Sequence, residues 1–188
     1  MNGGTHAALG FAAGVAALSM RETTEIYEGF LVLTAIFASL MPDLDEENSM
    51  IYRYTMEKVS PERRRKLIGG LGALCILTAV LMFSGPLFMA GVYFMAIPFS
   101  GHRKFTHSLL ALAIVSYLAD SIHPDLMLPV LLGYLSHLLA DSLTVSGVPW
   151  LWPITKTFRF AKLKTGGVPD YLIGYITLFY ALIMWYRM

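Results

Sequence analysis

The sequence contains few charged residues and almost no cysteine. Asp, Glu, Lys and Arg make up 14% of its 188 residues, against about a quarter in a typical soluble domain. Hydrophobic residues make up 56% and the mean hydropathy is +0.59, so polar side chains are too few to cover a water-facing surface. We therefore predict an integral membrane protein, organised as a single domain over residues 1–188.

These shortages exclude some chemistry. The single Cys75 cannot form an internal disulfide, and its apolar neighbours favour packing over a role as nucleophile. The net charge of +1 gives no bulk attraction for nucleic acid, so we expect no direct nucleic-acid binding. The N-terminal residues lack the basic stretch that begins a signal peptide.

Apolar segments separated by Gly, Pro and Ser predict an all-α fold with about seven helical segments. The seven segments are Ala7–Met20, Ile26–Met41, Leu67–Phe83, Leu87–Phe99, Phe105–Ala119, Leu126–Leu143 and Tyr171–Trp185. Several are shorter than the roughly 20 residues of a full span, which leaves open both crossing helices and partly embedded ones. Ser60 and Pro61 predict a helix start, with Ser60 as its cap.

Alternate threading of the seven segments sorts the positive charges. Twelve of the fourteen Lys and Arg residues fall on the side of the N-terminus: Arg53, Lys58, Arg63, Arg64, Arg65, Lys66, Arg103, Lys104, Lys156, Arg159, Lys162 and Lys164. Only Arg21 and Arg187 fall on the other side. Positive residues favour the cytoplasm, so we predict a multi-pass protein of the cytoplasmic (inner) membrane with a cytoplasmic N-terminus. The run from Arg63 to Lys66 is most simply an orientation signal, and binding of anionic lipid or nucleic acid is its second interpretation.

The same threading gathers most histidines and several aspartates near the cytoplasmic face. The candidate metal ligands there are His6, Asp43, Asp45, His102, His107, His137, Asp141 and Asp170. Nitrogen and oxygen ligands without thiolate suit zinc, or manganese and iron. Eight potential ligands exceed the needs of one ion, so we expect a divalent metal, with zinc favoured, in two or more copies.

Each part of this set also has a plainer interpretation. His137 and Asp141 are four residues apart on one helix face, where they can share a metal or form a hydrogen bond that joins two helices. Asp43 and Asp45 can bind cations, cap a helix or face water. His6 can be a packed histidine, and Asp170 can be a helix-capping carboxylate.

The segment 101–108 is the richest in polar chemistry. His102 and His107 are candidate ligands, while Thr106 and Ser108 are expected to cap a helix. Arg103 can hold a phosphate or carboxylate through its fork of donors, or can simply be a positive residue of the cytoplasmic side.

These motifs occur in a recognisable order: Thr5-His6, Pro42-Asp43-Leu44-Asp45, His102-Arg103 with Thr106-His107-Ser108, and His137 with Asp141. The set resembles the YdjM-like family of prokaryotic membrane-bound metal-dependent hydrolases, also described as LexA-binding, inner-membrane-associated hydrolases. That family is distantly similar to zinc-dependent phospholipase C and P1 nuclease.

The resemblance implies an all-α fold, a zinc cluster and phosphoester hydrolysis. It makes seven of the candidates metal ligands: His6, Asp43, Asp45, His102, His107, His137 and Asp141. Asp170 stands where many relatives are expected to have glutamate.

We therefore expect a membrane-bound metal-dependent hydrolase that uses metal-activated water on a phosphoester, either a lipid or a lipid-linked substrate. Asp43 or Asp45 would orient the water, and Arg103 would stabilise the phosphoryl oxygens. The expected partners are membrane lipids, the substrate and a regulator protein. The alternative is a non-enzymatic membrane protein that binds metal or tethers a regulator at the membrane.

Overall fold

The chain forms a helical bundle in the computed structural model, which describes residues 1–20 and 25–188. Eight α-helices occur in these residues: α1 Gly3–Ser19, α2 Glu25–Leu40, α3 Met50–Thr55, α4 Pro61–Met82, α5 Gly85–Ser100, α6 Leu109–Ile122, α7 Pro124–Ser142 and α8 Val168–Arg187. Short 3₁₀ turns, Met41–Asp45 and Phe105–His107, follow α2 and precede α6. The described residues contain no named strand, so the predicted all-α fold is confirmed.

Seven of these helices correspond to the seven predicted apolar segments, and the predicted helix start is also confirmed. Ser60 is the N-cap residue of α4 and Pro61 is its first residue. Ser108 caps α6, where its hydroxyl accepts a hydrogen bond from Ala111 N at 3.2 Å. Arg21, one of the two cations assigned to the opposite side of the membrane, lies outside the described residues.

The sequence interpretation missed α3, a short helix in the segment that was read as a polar loop. Tyr52 anchors it, because its hydroxyl donates to Leu44 O at 2.5 Å and its ring packs under the Arg64 guanidinium at 4.9 Å. Burial raises the pKa of Tyr52 to about 12, so the phenol remains a hydrogen-bond donor. The helix is thereby fixed against the turn that ends α2.

Helices α1, α2 and α7 pack against one another at the centre of the bundle. Two glycines make this close approach feasible. A Cβ at Gly133 of α7 would lie 2.3 Å from Ala35 O of α2, and one at Gly10 of α1 would lie 2.3 Å from Ser39 Oγ. The Ser39 hydroxyl donates to His6 O at 2.9 Å, which ties α1 to α2 at the end where the polar residues gather.

Several helices have the character of membrane-embedded elements. Three stretches are long and apolar enough to cross a membrane: Tyr27–Asp45, Pro61–Met82 and Val168–Arg187. Helix α4 packs mainly on α5 and leaves leucines such as Leu74 and Leu81 exposed. An apolar surface of this kind is stable in lipid and costly in water, in agreement with the composition.

Candidate metal centre

Helix ends from four parts of the chain converge on one buried polar cluster. The structure brings five of the eight predicted ligands together in two overlapping groups: His6, Asp43 and His137, and then His107, His137 and Asp141. Within each group, one ligand atom from each residue lies within 4.8 Å of the others. His137 belongs to both groups and is therefore the central residue of the candidate site.

The imidazoles of His107 and His137 face each other with Nε2 atoms 3.2 Å apart. His137 Nδ1 is 2.7 Å from Ser39 O, and because a carbonyl only accepts, Nδ1 carries the proton of the neutral ring. His107 Nδ1 lies 3.0 Å from Thr106 Oγ1, whose own hydrogen is directed to Asp45 Oδ2 at 2.6 Å. With Nδ1 as the donor in both rings, the two Nε2 atoms face the same space as acceptors.

Two carboxylates complete this arrangement. Asp43 Oδ1 lies 3.7 Å from both Nε2 atoms, and Asp141 Oδ2 lies 3.8 Å from His107 Nε2 and 3.9 Å from His137 Nε2. Neighbouring ligands of a tetrahedral zinc ion, with bonds of about 2.0–2.1 Å, are roughly 3.3 Å apart. Electron-rich atoms at such separations repel one another unless a proton or cation lies between them, so the donor set fits a divalent metal.

His6 is the third imidazole of the cluster. Its ring stacks on His137 with centroids 3.7 Å apart and planes 12° apart. His6 Nε2 is 3.2 Å from Asp141 Oδ1, yet neither buried ring nitrogen makes a hydrogen bond of good geometry. Because a buried unpaired nitrogen is costly, His6 is well suited to act as a metal ligand.

Asp45 and His102 form a separate pair beside the cluster. His102 Nδ1 lies 2.8 Å from Asp45 Oδ1, and Asp45 Oδ2 accepts hydrogen bonds from Arg103 N and Thr106 Oγ1. Partial burial disfavours the His102 imidazolium, but the hydrogen bond and charge of Asp45 outweigh it, so the pKa of His102 is raised. This geometry makes Asp45 an anchor for the neighbouring segment, and neither residue belongs to the two ligand groups found in residues 1–20 and 25–188.

Arg103 has a constrained backbone, and both terminal nitrogens of its side chain have partners. Its φ of 57° lies in the left-handed region, where a non-glycine residue needs local support. Asp45 supplies that support through the Arg103 backbone N–H at 3.1 Å. Arg103 Nη2 lies 2.7 Å from Asp141 Oδ2, while Nη1 donates to Thr144 Oγ1 at 3.1 Å. The guanidinium is thus bound directly to a candidate ligand.

Asp170 lies near the cluster, but its carboxylate accepts hydrogen bonds from backbone N–H groups. Its Oδ2 accepts hydrogen bonds from Asn2 N at 2.9 Å and Gly166 N at 2.7 Å. This carboxylate stands in the first turn of α8, although Gly167 is the N-cap residue. The neighbouring Met1 amino group contacts Asp141, so the N-terminal residues connect the start of α8 with the end of α7. Among the described residues, Asp170 is in neither ligand group.

Sequence reasoning missed several residues that support the ligands. Thr106 was expected to cap a helix, and that expectation is wrong, because its hydroxyl bridges Asp45 and His107. Ser39 supplies a backbone carbonyl, for which side-chain identity gives no signal. Tyr134 donates to Thr106 O. Its spacing of three residues from His137 on α7 could have predicted that both side chains lie on the same helix face.

A cavity of about 550 Å³ opens beside the cluster. Polar and charged residues line it together with apolar ones: Asp43, Met50, Arg53, Tyr54, His102, Arg103 and Tyr171. Asp43 is the residue that belongs both to the ligand groups and to this lining. We call this cavity the mouth of the site.

The fold and composition define a helical integral membrane protein with a cluster of histidines and aspartates at one end of its bundle. The chain belongs to the YdjM family, because the family model described as YdjM inner membrane protein matches residues 1–187.

Two kinds of relative share part of the sequence. The inner membrane protein YdjM of Escherichia coli (strain K12) is 50% identical over 70 residues, which cover 34% of this chain and 36% of that protein. The uncharacterized protein YvsG of Bacillus subtilis (strain 168) is 37% identical over 76 residues, covering 39% of this chain and 48% of that protein. The chain thus spans between a third and a half of the length of these curated relatives. No solved structure matches it.

Proposed function

We propose that the protein is a membrane-bound metal-dependent hydrolase of a phosphoester. One observation carries the proposal: two imidazole Nε2 atoms lie 3.2 Å apart, and two carboxylates lie within 3.9 Å of the same nitrogens. A structural hydrogen-bond network would place a donor opposite each acceptor. Such a convergence of acceptors favours a cation at this position.

Five residues would hold the metal in this proposal. They are His6, Asp43, His107, His137 and Asp141. Imidazole and carboxylate ligands favour zinc, with manganese or iron as alternatives. When bound, the metal lowers the pKa of a water molecule and neutralises charge that develops on the phosphoryl oxygens. Because Nδ1 of His137 donates to Ser39 O, its Nε2 can bind one ion only, so a second ion would need ligands from the other residues of the cluster.

Residues of the chain supply the remaining chemistry. Asp43 is partly exposed and lines the mouth, so its carboxylate can orient a water molecule and accept its proton. Arg103 also lines the mouth and contacts Asp141. Its guanidinium can stabilise an anionic phosphoryl group that binds in the mouth beside this contact. Asp45 acts indirectly, because it positions Thr106, Arg103 and His102.

The lining of the mouth supports a lipid or lipid-linked phosphoester as the substrate. Arg53 and Arg103 provide positive charge for a phosphate, while Met50, Tyr54 and Tyr171 provide apolar surface. The site lies where the spanning stretch Tyr27–Asp45 ends and the stretch beginning at Val168 starts, so a substrate held in the membrane would reach it without leaving the lipid surface. The cation distribution supports a cytoplasmic N-terminus and site.

The decisive experiment measures metal content and hydrolysis on the same purified sample. We expect the wild type to contain zinc in stoichiometric amounts and to cleave at least one member of a lipid and nucleotide phosphoester panel. His137→Ala should lose both metal and activity, because it removes the ligand shared by both groups. His123→Ala is the matched control, since His123 is an exposed histidine at the junction of α6 and α7.

Two outcomes would contradict the proposal in different ways. Unchanged metal content in His137→Ala would make the cluster a structural network. A fully metallated wild type that cleaves no member of the panel would favour the non-enzymatic alternative, in which the protein binds metal or tethers a regulator protein at the membrane.

A further inference from the structure

The segment between α7 and α8 has an unbalanced charge. Residues 143–167, which we call the cationic loop, contain Lys156, Arg159, Lys162 and Lys164 but no Asp or Glu. All four cations are exposed. Some cations elsewhere in the chain do have acidic partners, as in Arg65 with Glu47 and Lys66 with Glu62, both at 2.7 Å. Among the described residues, the cations of the cationic loop form no ion pair with a carboxylate.

The cationic loop also exposes apolar side chains between its charges. Ile154 is 61% exposed and Phe160 is 67% exposed, and Val145 and Leu151 are about half exposed. Exposed apolar residues interleaved with Lys and Arg are typical of segments that lie in the interfacial zone of a membrane. An ordinary solvated loop has no need of this combination.

Hydrogen bonds hold the backbone of the cationic loop in a defined conformation. Val148 and Phe158 exchange two backbone hydrogen bonds of 3.0 and 2.8 Å. Phe160 N donates to Ser142 O at 2.8 Å, which fixes that residue while its ring points outward. The guanidinium of Arg159 braces the loop through Val145 O at 2.8 Å.

The position of the cationic loop matches a lipid headgroup region. It begins where α7 ends and leads directly into the spanning stretch Val168–Arg187. Lys164 stands four residues before that stretch begins. Basic residues next to a spanning helix attract anionic lipid, with each Lys or Arg contributing about 1 kcal/mol near the surface.

From these observations we propose that the cationic loop binds the phosphate groups of anionic phospholipids and inserts Ile154 and Phe160 into the adjacent lipid. The proposal concerns a second surface and does not depend on hydrolysis. The cationic loop also contacts the candidate metal centre through Arg103. Its Nη1 donates to Thr144 Oγ1 in the loop, while its Nη2 contacts Asp141.

The test reports the depth of the loop in a membrane whose composition is known. The full chain, with Cys75→Ala and Ile154→Cys, carries an environment-sensitive fluorophore at position 154. It is placed in nanodiscs of phosphatidylcholine alone or mixed with phosphatidylglycerol, with brominated acyl chains as quenchers. Nanodiscs expose both membrane faces, so the orientation of the protein does not affect the result. Circular dichroism and size-exclusion chromatography verify the fold of every variant.

We expect stronger quenching when phosphatidylglycerol is present, with the difference reduced at high salt. The variant K156Q/R159Q/K162Q/K164Q should lose this difference, since each lost cation weakens lipid attraction by about five-fold, the equivalent of about 1 kcal/mol. The matched variant K58Q/R63Q/K66Q/K104Q removes three lysines and one arginine from exposed positions elsewhere, and it should keep the difference.

Three results would overturn the proposal. The first is equal quenching in both lipid mixtures, and the second is an equal loss in the two charge variants, which would indicate bulk charge rather than this loop. The third is a fluorescence change with an acidic peptide or RNA but with neither lipid, which would identify a soluble polyanion as the partner.

Discussion

Arg103 Nη2 lies 2.7 Å from Asp141 Oδ2, so the guanidinium is paired with a candidate metal ligand and does not stand alone at the mouth. Its other terminal nitrogen reaches Thr144 Oγ1 at 3.1 Å. A planar fork can make both contacts together, whereas the single ammonium of lysine cannot reproduce them. The geometry of this side chain is therefore as important as its charge.

Arg103→Lys tests that distinction. We expect the variant to keep its fold and its metal, because Asp141 still faces a positive charge, but to lose about 100-fold in the rate of phosphoester hydrolysis. Metal content and turnover are measured on one sample. Arg63→Lys, an exposed substitution of the same type, serves as the control. Undiminished activity in Arg103→Lys would remove Arg103 from the mechanism.

Thr106→Val tests the support of His107. The two side chains have similar shapes, but valine can neither donate to Asp45 Oδ2 nor accept from His107 Nδ1. Loss of such an outer hydrogen bond typically lowers metal affinity by about 10- to 100-fold. A competition titration with a zinc chelator measures the change.

Thr78→Val is the control for this substitution, because the Thr78 hydroxyl bonds only to Leu74 O of its own helix. Equal zinc affinity in the two variants would show that His107 does not need the bridge to Asp45.

Gly133→Ala tests the close packing of α2 and α7. The added Cβ would meet Ala35 O at 2.3 Å, so the two helices must separate. Overpacking of this kind typically costs about 1–3 kcal/mol, and the shift would move Asp43 away from His137. We expect a lower thermal midpoint in detergent together with weaker metal binding.

Gly70→Ala provides the comparison, since nothing lies within 4 Å of a Cβ at that position. It should leave the midpoint unchanged or raise it, because alanine favours the helix over glycine by roughly 1 kcal/mol. Identical midpoints in the two variants would contradict the packing argument.

Single cysteines at Ser60 and Ser121 test the predicted topology in a Cys75→Ala background. Both positions are exposed, one before α4 and one near the end of α6. The cation distribution predicts Ser60 in the cytoplasm and Ser121 on the opposite side. An impermeant thiol reagent should therefore label only position 121 in intact cells, and equal labelling of both positions would refute the threading.

Local patterns were sufficient to predict seven of the eight described helices and part of the candidate site. The spacing of His137 and Asp141 placed both on one face of α7, and the order of breakers separated the seven apolar segments. These signals depend on residues that are close in sequence, so they can be recognised without knowledge of the tertiary packing. Ser108 could be identified as a cap for the same reason.

Contacts between distant helices could not be predicted in this way. Asp45 looked equivalent to Asp43, but the approach of Arg103 and Thr106 saturates its oxygens while Asp43 Oδ1 remains near two imidazoles. Helix α3 is only six residues long, and it is stabilised by Tyr52 rather than by its own periodicity. Both outcomes depend on tertiary packing, which single-sequence patterns do not encode.

The stacking of His6 on His137 has a consequence for biogenesis. These two candidate ligands are 131 positions apart in the sequence, and Asp141 lies four positions beyond His137, so α7 must be synthesised before the full set exists. Contacts with such separation form late in folding. In the proposed function, zinc binding would therefore follow insertion of α7, and a nascent chain arrested before that helix would remain metal-free.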